Sequence, residues 1–96
     1  MVPGPYDLRL SNAWMETAFD HSIHCYFHSP YRRVDCVIKG DAVLLMAGHR
    51  PDEVSWHIIS SNWGDQLAVI AESKLVGDSD CIVTITVGDL EAHLSN

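Results

Sequence analysis

Basic residues are scarce in this chain. Six Lys and Arg stand against thirteen Asp and Glu, a net charge of −7. The deficit is lopsided. Residues 1–50 hold five bases and five acids, whereas residues 51–96 hold Lys74 alone against Asp52, Glu53, Asp65, Glu72, Asp78, Asp80, Asp89 and Glu91. Binding to phosphate needs lysine and arginine, so this balance argues against nucleic acid as a direct ligand. Long apolar runs are missing too. The longest, Ala42–Ala47, is far short of the ~20 residues of a membrane-spanning helix. The start, MVPGPYDLRL, has neither a basic nor an apolar leader segment, which predicts a cytoplasmic protein.

Cysteine is sparse. Cys25, Cys36 and Cys81 are odd in number, with no CxxC, so reduced thiols are expected rather than a disulfide framework. Cys36 and Cys81 read as small core hydrophobes. Cys25 lies between His24 and His28, but adjacency in sequence does not make a catalytic dyad. The chain has no phosphate-binding glycine loop, dinucleotide fingerprint, HExxH, nucleophile elbow or EF-hand loop. No spacing pairs two carboxylates, and no carboxylate is placed to orient a histidine. The expectation is a protein that is not an enzyme and carries no cofactor.

What is present is ordinary globular material. Ninety-six residues suit a single domain, 1–96, able to close one core without staples. Charged residues, at 20%, fall a little below the ~25% usual for soluble domains, which favours a surface covered by a partner or a second copy.

Along the chain, Pro3, Gly4 and Pro5 predict an extended arm over 1–10. Ser11 or Asn12 can cap a helix, Glu16 suits its first turn, and Pro30 stops it. Met15, Phe19, Ile23 and Tyr26 recur at helical spacing, so a helix is predicted over 12–28. Its opposite face gathers His21, His24, Cys25 and His28. A rival reading makes IHCYF a strand with Ile23, Cys25 and Phe27 inward, in which case the histidine face disappears. Residues 34–47 read as a hairpin turning at Gly40-Asp41, with Val34, Cys36 and Ile38 facing Ala47, Leu45 and Val43. Residues 51–60 suit a strand by β-branched content or a helix by the Pro-Asp-Glu start, and the strand is preferred. Residues 66–75 suit a helix ending at Gly77 or an alternating strand. DCIVTITVGD is the clearest strand, and a short helix capped by Asp89 follows it. The predicted fold class is therefore α+β: one N-terminal amphipathic helix packed on a four- to five-stranded antiparallel meander sheet, the sheet occupying most of 34–88.

The functional expectation is a small acidic binding protein that inhibits or neutralises a protein partner by occupying its basic surface, as inhibitors, immunity proteins, antitoxins and phage anti-defence proteins do. Acidic loops that merely maintain solubility are the competing explanation. The contact residues expected are Asp65, Asp78 and Asp80, with Trp63 as an aromatic anchor; Trp56, on an alternating segment, reads as core. A first alternative is a zinc-binding or metal-regulated module built on His21, His24, Cys25 and His28. One straight helix cannot wrap four ligands around an ion, so it would need a ligand from elsewhere. A second alternative is a homo-oligomeric structural subunit, a homodimer being the simplest.

Overall fold

The computed structural model of the protein describes residues 8–16, 20–30, 33–76 and 82–95. Three strands come first: β1 (Arg9–Glu16), β2 (Ile23–His28) and β3 (Arg33–Ile38). Three helices follow: α1 (Gly40–Ala47), α2 (Glu53–Asn62) and α3 (Gly64–Val76). Strand β4 (Ile82–Ile85) and helix α4 (Val87–Leu94) close the order. The four strands form one sheet in the order β1-β2-β3-β4. β1/β2 and β2/β3 are antiparallel, and β4 joins β3 in parallel. The mixed sheet follows from connectivity. Four residues link β2 to β3, enough for a hairpin, whereas a parallel neighbour needs a crossover, supplied here by α1–α3.

The antiparallel meander predicted for most of 34–88 is thereby corrected to a mixed sheet, because β4 returns parallel to β3, and the predicted fold class is corrected on three further points. First, the N-terminal helix over 12–28 is absent: strands come first. β2 alternates strictly, with Ile23, Cys25 and Phe27 buried and His24 and His28 exposed. The rival strand reading is the one the structure takes. Ser11 explains much of the error. Its oxygen does what an N-cap oxygen does, accepting a hydrogen bond from the backbone N–H two residues on, Ala13, at 3.2 Å. It does so inside a bulge, where the register slips between Leu10 and Trp14.

Second, there is no hairpin at Gly40-Asp41. Val34, Cys36 and Ile38 are buried as expected, but α1 begins at Gly40 and buries Ala42, Val43 and Met46 at helical spacing. Leu45, expected inside, is 50% exposed. Gly40 has a different task from turning a hairpin. A Cβ there would lie 2.7 Å from the Asp20 carbonyl oxygen and 3.0 Å from that of His21. The β1–β2 connection packs backbone to backbone against the start of α1, with His21 at φ +56° and Lys39 paired to Asp20 at 3.3 Å. Third, the segment 51–60 enters a helix at Glu53 rather than forming a strand. Asp52 and Ser55 form a reciprocal capping box, each side chain accepting the other's backbone N–H at 2.8 Å, which outweighs the β preference of Val54, Trp56 and Ile58.

Residues 66–75 lie within α3, and Trp63 alone separates it from α2. The terminal helix is present as predicted, though Thr86 is its N-cap and Asp89 completes the box from the third helical position. Residues 1–7 of the predicted arm, and Cys81, lie outside the described residues; Arg9 and Leu10 already belong to β1.

The inner sheet face presents Ile23, Cys25, Phe27, Val34, Cys36, Ile38, Val83 and Ile85 to the helices. Trp56, Ile59, Leu67, Ile70, Leu75 and Leu90 meet it from the other side. Trp56 is thus core, and it stacks on Trp14 of β1 with ring centroids 6.2 Å apart. The architecture is two layers, helices on one face of a sheet whose other face is uncovered among the described residues. No helix among the described residues is long and apolar enough to cross a membrane.

Candidate functional site

Two surfaces carry chemistry, one on each side of the molecule. The first is the uncovered sheet face. Register fixes its side chains in rows across the strands: Met15, His24, Val37 and Thr84; then Tyr26, Asp35 and Ile82; then Arg9, His28 and Arg33. The Arg33 guanidinium lies over the Tyr26 ring, 4.1 Å from its centroid, and its Nε donates to Asp35 at 3.1 Å. Met15 and Ile82, at the two edges, are 64% and 62% exposed. The face holds a shallow depression of about 650 Å³, lined by Ala13 and Met15 of β1 and by Tyr26, Asp35, Val37 and Ile82. Tyrosine, methionine and arginine around a charged pair make a mixed surface typical of protein contacts.

The second surface is the outside of the helical layer. Residues 40–76 and 87–94 hold seven acids against two bases, Arg50 and Lys74. Two of these acids are committed to structure. Asp52 caps α2 and pairs with His49 at 2.9 Å; Asp89 caps α4 and pairs with Lys74 at 3.0 Å. The Ser55 backbone N–H, with His49 beside it, holds the Asp52 carboxyl below its ordinary range. Burial pushes Asp89 upward, but the Thr86 N–H and the Lys74 ammonium outweigh it and the net shift is downward. Of the other five, Asp41 accepts the Ala42 backbone N–H at the start of α1 at 2.9 Å, and Glu53, Asp65, Glu72 and Glu91 form no ion pair among the described residues. Asp65, Val69 and Glu72 are spaced i, i+4, i+7 on α3, so two carboxylates flank a valine along one stripe.

The residues singled out from sequence are distributed as follows. Asp65 is exposed in the first turn of α3. Trp63 closes α2 beside it, half-buried against the core, with its backbone N–H donating to Ile59. Asp78 and Asp80 lie outside the described residues. His21, His24, Cys25 and His28 are not brought together. On a strand His24 and His28 stand about 13 Å apart along the outer face, and Cys25 points inward. His21 precedes the strand and pairs with Glu16 at 3.1 Å. Among the described residues no group of three or more His, Cys, Asp or Glu is placed to hold a metal ion.

Two further features were not anticipated. Cys25 and Cys36 are register partners, both buried and both free thiols. The hydrogen bond with Cys25, and burial, push the Cys36 thiol well up, so it stays protonated and unreactive. A groove of about 630 Å³ lies between the end of β1 and the start of α2, lined by Trp14, Glu16, His21, Arg50, Pro51, Asp52 and Glu53. Among the described residues its lining brings carboxylates and an imidazole together without a hydroxyl or thiol.

The outer sheet face was missed because it exists only once β2 is a strand. The signal was available: two alternating six-residue runs, 23–28 and 33–38, separated by four residues that include Pro30. Comparison of the chain with protein families, characterised proteins and solved structures finds no match.

Proposed function

We propose that this is a small acidic binding protein, cytoplasmic and without catalytic activity of its own, that neutralises a partner protein by covering a basic surface. One observation carries the reading: the surplus of carboxylates on the helical layer that the chain's own bases leave unneutralised. Lys39, Lys74 and Arg33 are each spent on an acid, Asp20, Asp89 and Asp35. Glu53, Asp65, Glu72 and Glu91 remain for another molecule. The contact is centred on the Asp65–Val69–Glu72 stripe, with Trp63 at the α2–α3 corner as its aromatic neighbour and Asp78 and Asp80 adding charge. Long-range attraction from such a surface accelerates encounter and orients the partner.

The test is capture of the partner from the native cell, followed by binding kinetics. Neutralising Asp65 and Glu72 together, as Asp65→Asn and Glu72→Gln, is expected to slow association at low salt. The difference should vanish at ~1 M salt, where the Debye length is ~3 Å. Trp63→Ala is expected to speed dissociation instead. An association rate that ignores the double substitution at low salt would reduce the acidic layer to a solubilising surface.

A further inference from the structure

The outer sheet face is a different surface with a different occupant, and its contact residues are not those of the acidic layer. We infer that this face is the seat of a second copy of the same chain, giving a weak, isologous dimer through Tyr26, Arg33, Asp35 and the apolar Met15, Val37 and Ile82. Charge decides the occupant. The helical layer, with seven acids and two bases, repels another copy of itself. The outer face of the strands is near balance instead, Arg9 and Arg33 against Asp35, since Glu16 sits opposite Ile23 and belongs to the other side. Their face also carries the exposed apolar side chains that a desolvated contact requires. A basic partner has no electrostatic reason to prefer it, because its only carboxylate on the central strands, Asp35, is already paired with Arg33.

The pattern on β3 is self-complementary. Arg33 and Asp35 lie two residues apart on the same side of the strand. A twofold axis between the two faces, crossing β3 at Val34, sets Arg33 of one copy against Asp35 of the other, and the reverse. That reciprocity is what an isologous interface demands. The pairing within each chain, and the stacking of Arg33 on Tyr26, hold both heads in place before contact, which lowers the ordering cost. Four strands ~4.8 Å apart, of eight, six, six and four residues at ~3.3 Å each, span roughly 20 by 20 Å. Such a face falls short of the ~800 Å² per partner of a standard interface, so the dimer belongs to the weak, micromolar class.

Sedimentation from about 1 μM to about 1 mM, spanning that class, is the primary measurement. Wild type is expected to pass from monomer to dimer across the range. Arg33→Asp and Asp35→Arg, each alone, place like charges opposite each other and are expected to remain monomeric. An equimolar mixture of the two variants presents opposite charges again and is expected to form the heterodimer. A fold-independent check uses Met15→Gln with Ile82→Thr, both exposed positions, expected to weaken self-association at least about tenfold, or ~1.4 kcal/mol. Circular dichroism and thermal melts verify that every variant is folded. A wild type that stays monomeric at ~1 mM overturns the inference, as does a dimer untouched by these substitutions or two monomeric variants that fail to recombine.

Discussion

The two faces of the β2–β3 ladder are built from the same twelve residues and could hardly differ more. Inward point Ile23, Cys25, Phe27, Val34, Cys36 and Ile38, all buried and all uncharged. Outward point His24, Tyr26, His28, Arg33, Asp35 and Val37, none of them buried. The inner face binds the sheet to the helices, and even its two thiols are buried there. The outer face has the chemistry and, among the described residues, no cover. Alternation alone separates them, because a strand sends successive side chains to opposite sides. A functional surface thus arises on the back of the strands that make the core, with no motif to announce it.

The largest effect available is on the inner face. Phe27→Ala and Ile38→Ala remove fully buried side chains and should cost about 3–5 and about 2–5 kcal/mol in denaturant unfolding. Tyr26→Ala, one position from Phe27, should cost under ~1 kcal/mol, since its ring rests on the open face. Leu45→Ala should be similarly mild, because Leu45 faces solvent from α1. Equal costs for Tyr26 and Phe27 would break the contrast and show that the outer face is covered in solution.

These positions also show how far the sequence could be read. The inner residues of β3 were legible because Val34, Cys36 and Ile38 alternate without competition. The same reading then failed at Leu45, because Gly40-Asp41 resembles a hairpin turn and nothing local reveals the Asp20 carbonyl packed against Gly40. Residues 12–28 carry two periods at once. Met15, Phe19 and Ile23 fit a helix, Ile23, Cys25 and Phe27 a strand, and only pairing with β3 decides between them. In α2 the capping signal at Pro51-Asp52 was visible and was outvoted by β propensity, although propensity is the weaker term when a cap is complete. The acidic half was legible as composition. Its placement on a helical layer was not, since that depends on α3 being a helix.

Gly40→Ala is the next effect in size. Its new methyl group meets backbone, which cannot rotate away, so about 1–3 kcal/mol is expected. Gly48→Ala, at the left-handed end of α1 (φ +67°) with open space around it, should cost about 1 kcal/mol from backbone strain alone. A Gly40 variant milder than the Gly48 variant would mean that the β1–β2 connection does not press on α1.

Acid should separate the two layers. The sheet is held by buried area, whereas α2 and α4 are held at their starts by carboxylates. Asp52 and Asp89 have folded-state pKa values below those of the unfolded chain, so their stabilisation is complete above the ordinary carboxyl value near 4. It is lost as pH falls through the depressed values. Asp20, held down to about 2 by the Ser22 hydroxyl and by Lys39, is the last to go, and with it the tie between the β1–β2 turn and Lys39. Hydrogen exchange below pH 4 should therefore show the first turns of α2 and α4 opening before β2 and β3. Asp52→Asn keeps a capping oxygen without a titratable proton and should flatten the α2 response. Simultaneous loss of protection in strands and helix ends would show that the layers unfold as one unit.

The smallest effects, and the most informative for function, belong to the unpaired acids of the helical layer. Two opposing terms act on them. Glu53 and Asp65 occupy the first turns of α2 and α3, where a negative charge at the positive end of the helix contributes ~0.3–1 kcal/mol. All four also repel one another across a net-acidic surface, an interaction that falls away with salt. Glu72 and Glu91 lie beyond the first turns of α3 and α4, so for them repulsion is the term that remains. Glu53→Gln and Asp65→Asn should thus lower stability by a few tenths of a kcal/mol to about 1 kcal/mol. Glu72→Gln and Glu91→Gln should leave it unchanged or raise it by up to about 0.5 kcal/mol, the gain disappearing at high salt. Thermal melts of the four single variants at low and high ionic strength measure both signs. Losses at Glu72 and Glu91 approaching that of Phe27→Ala would mean that these carboxylates hold the fold together. Neutral or favourable values leave them as charge that the folded chain does not itself require, which is the condition for offering them to a partner.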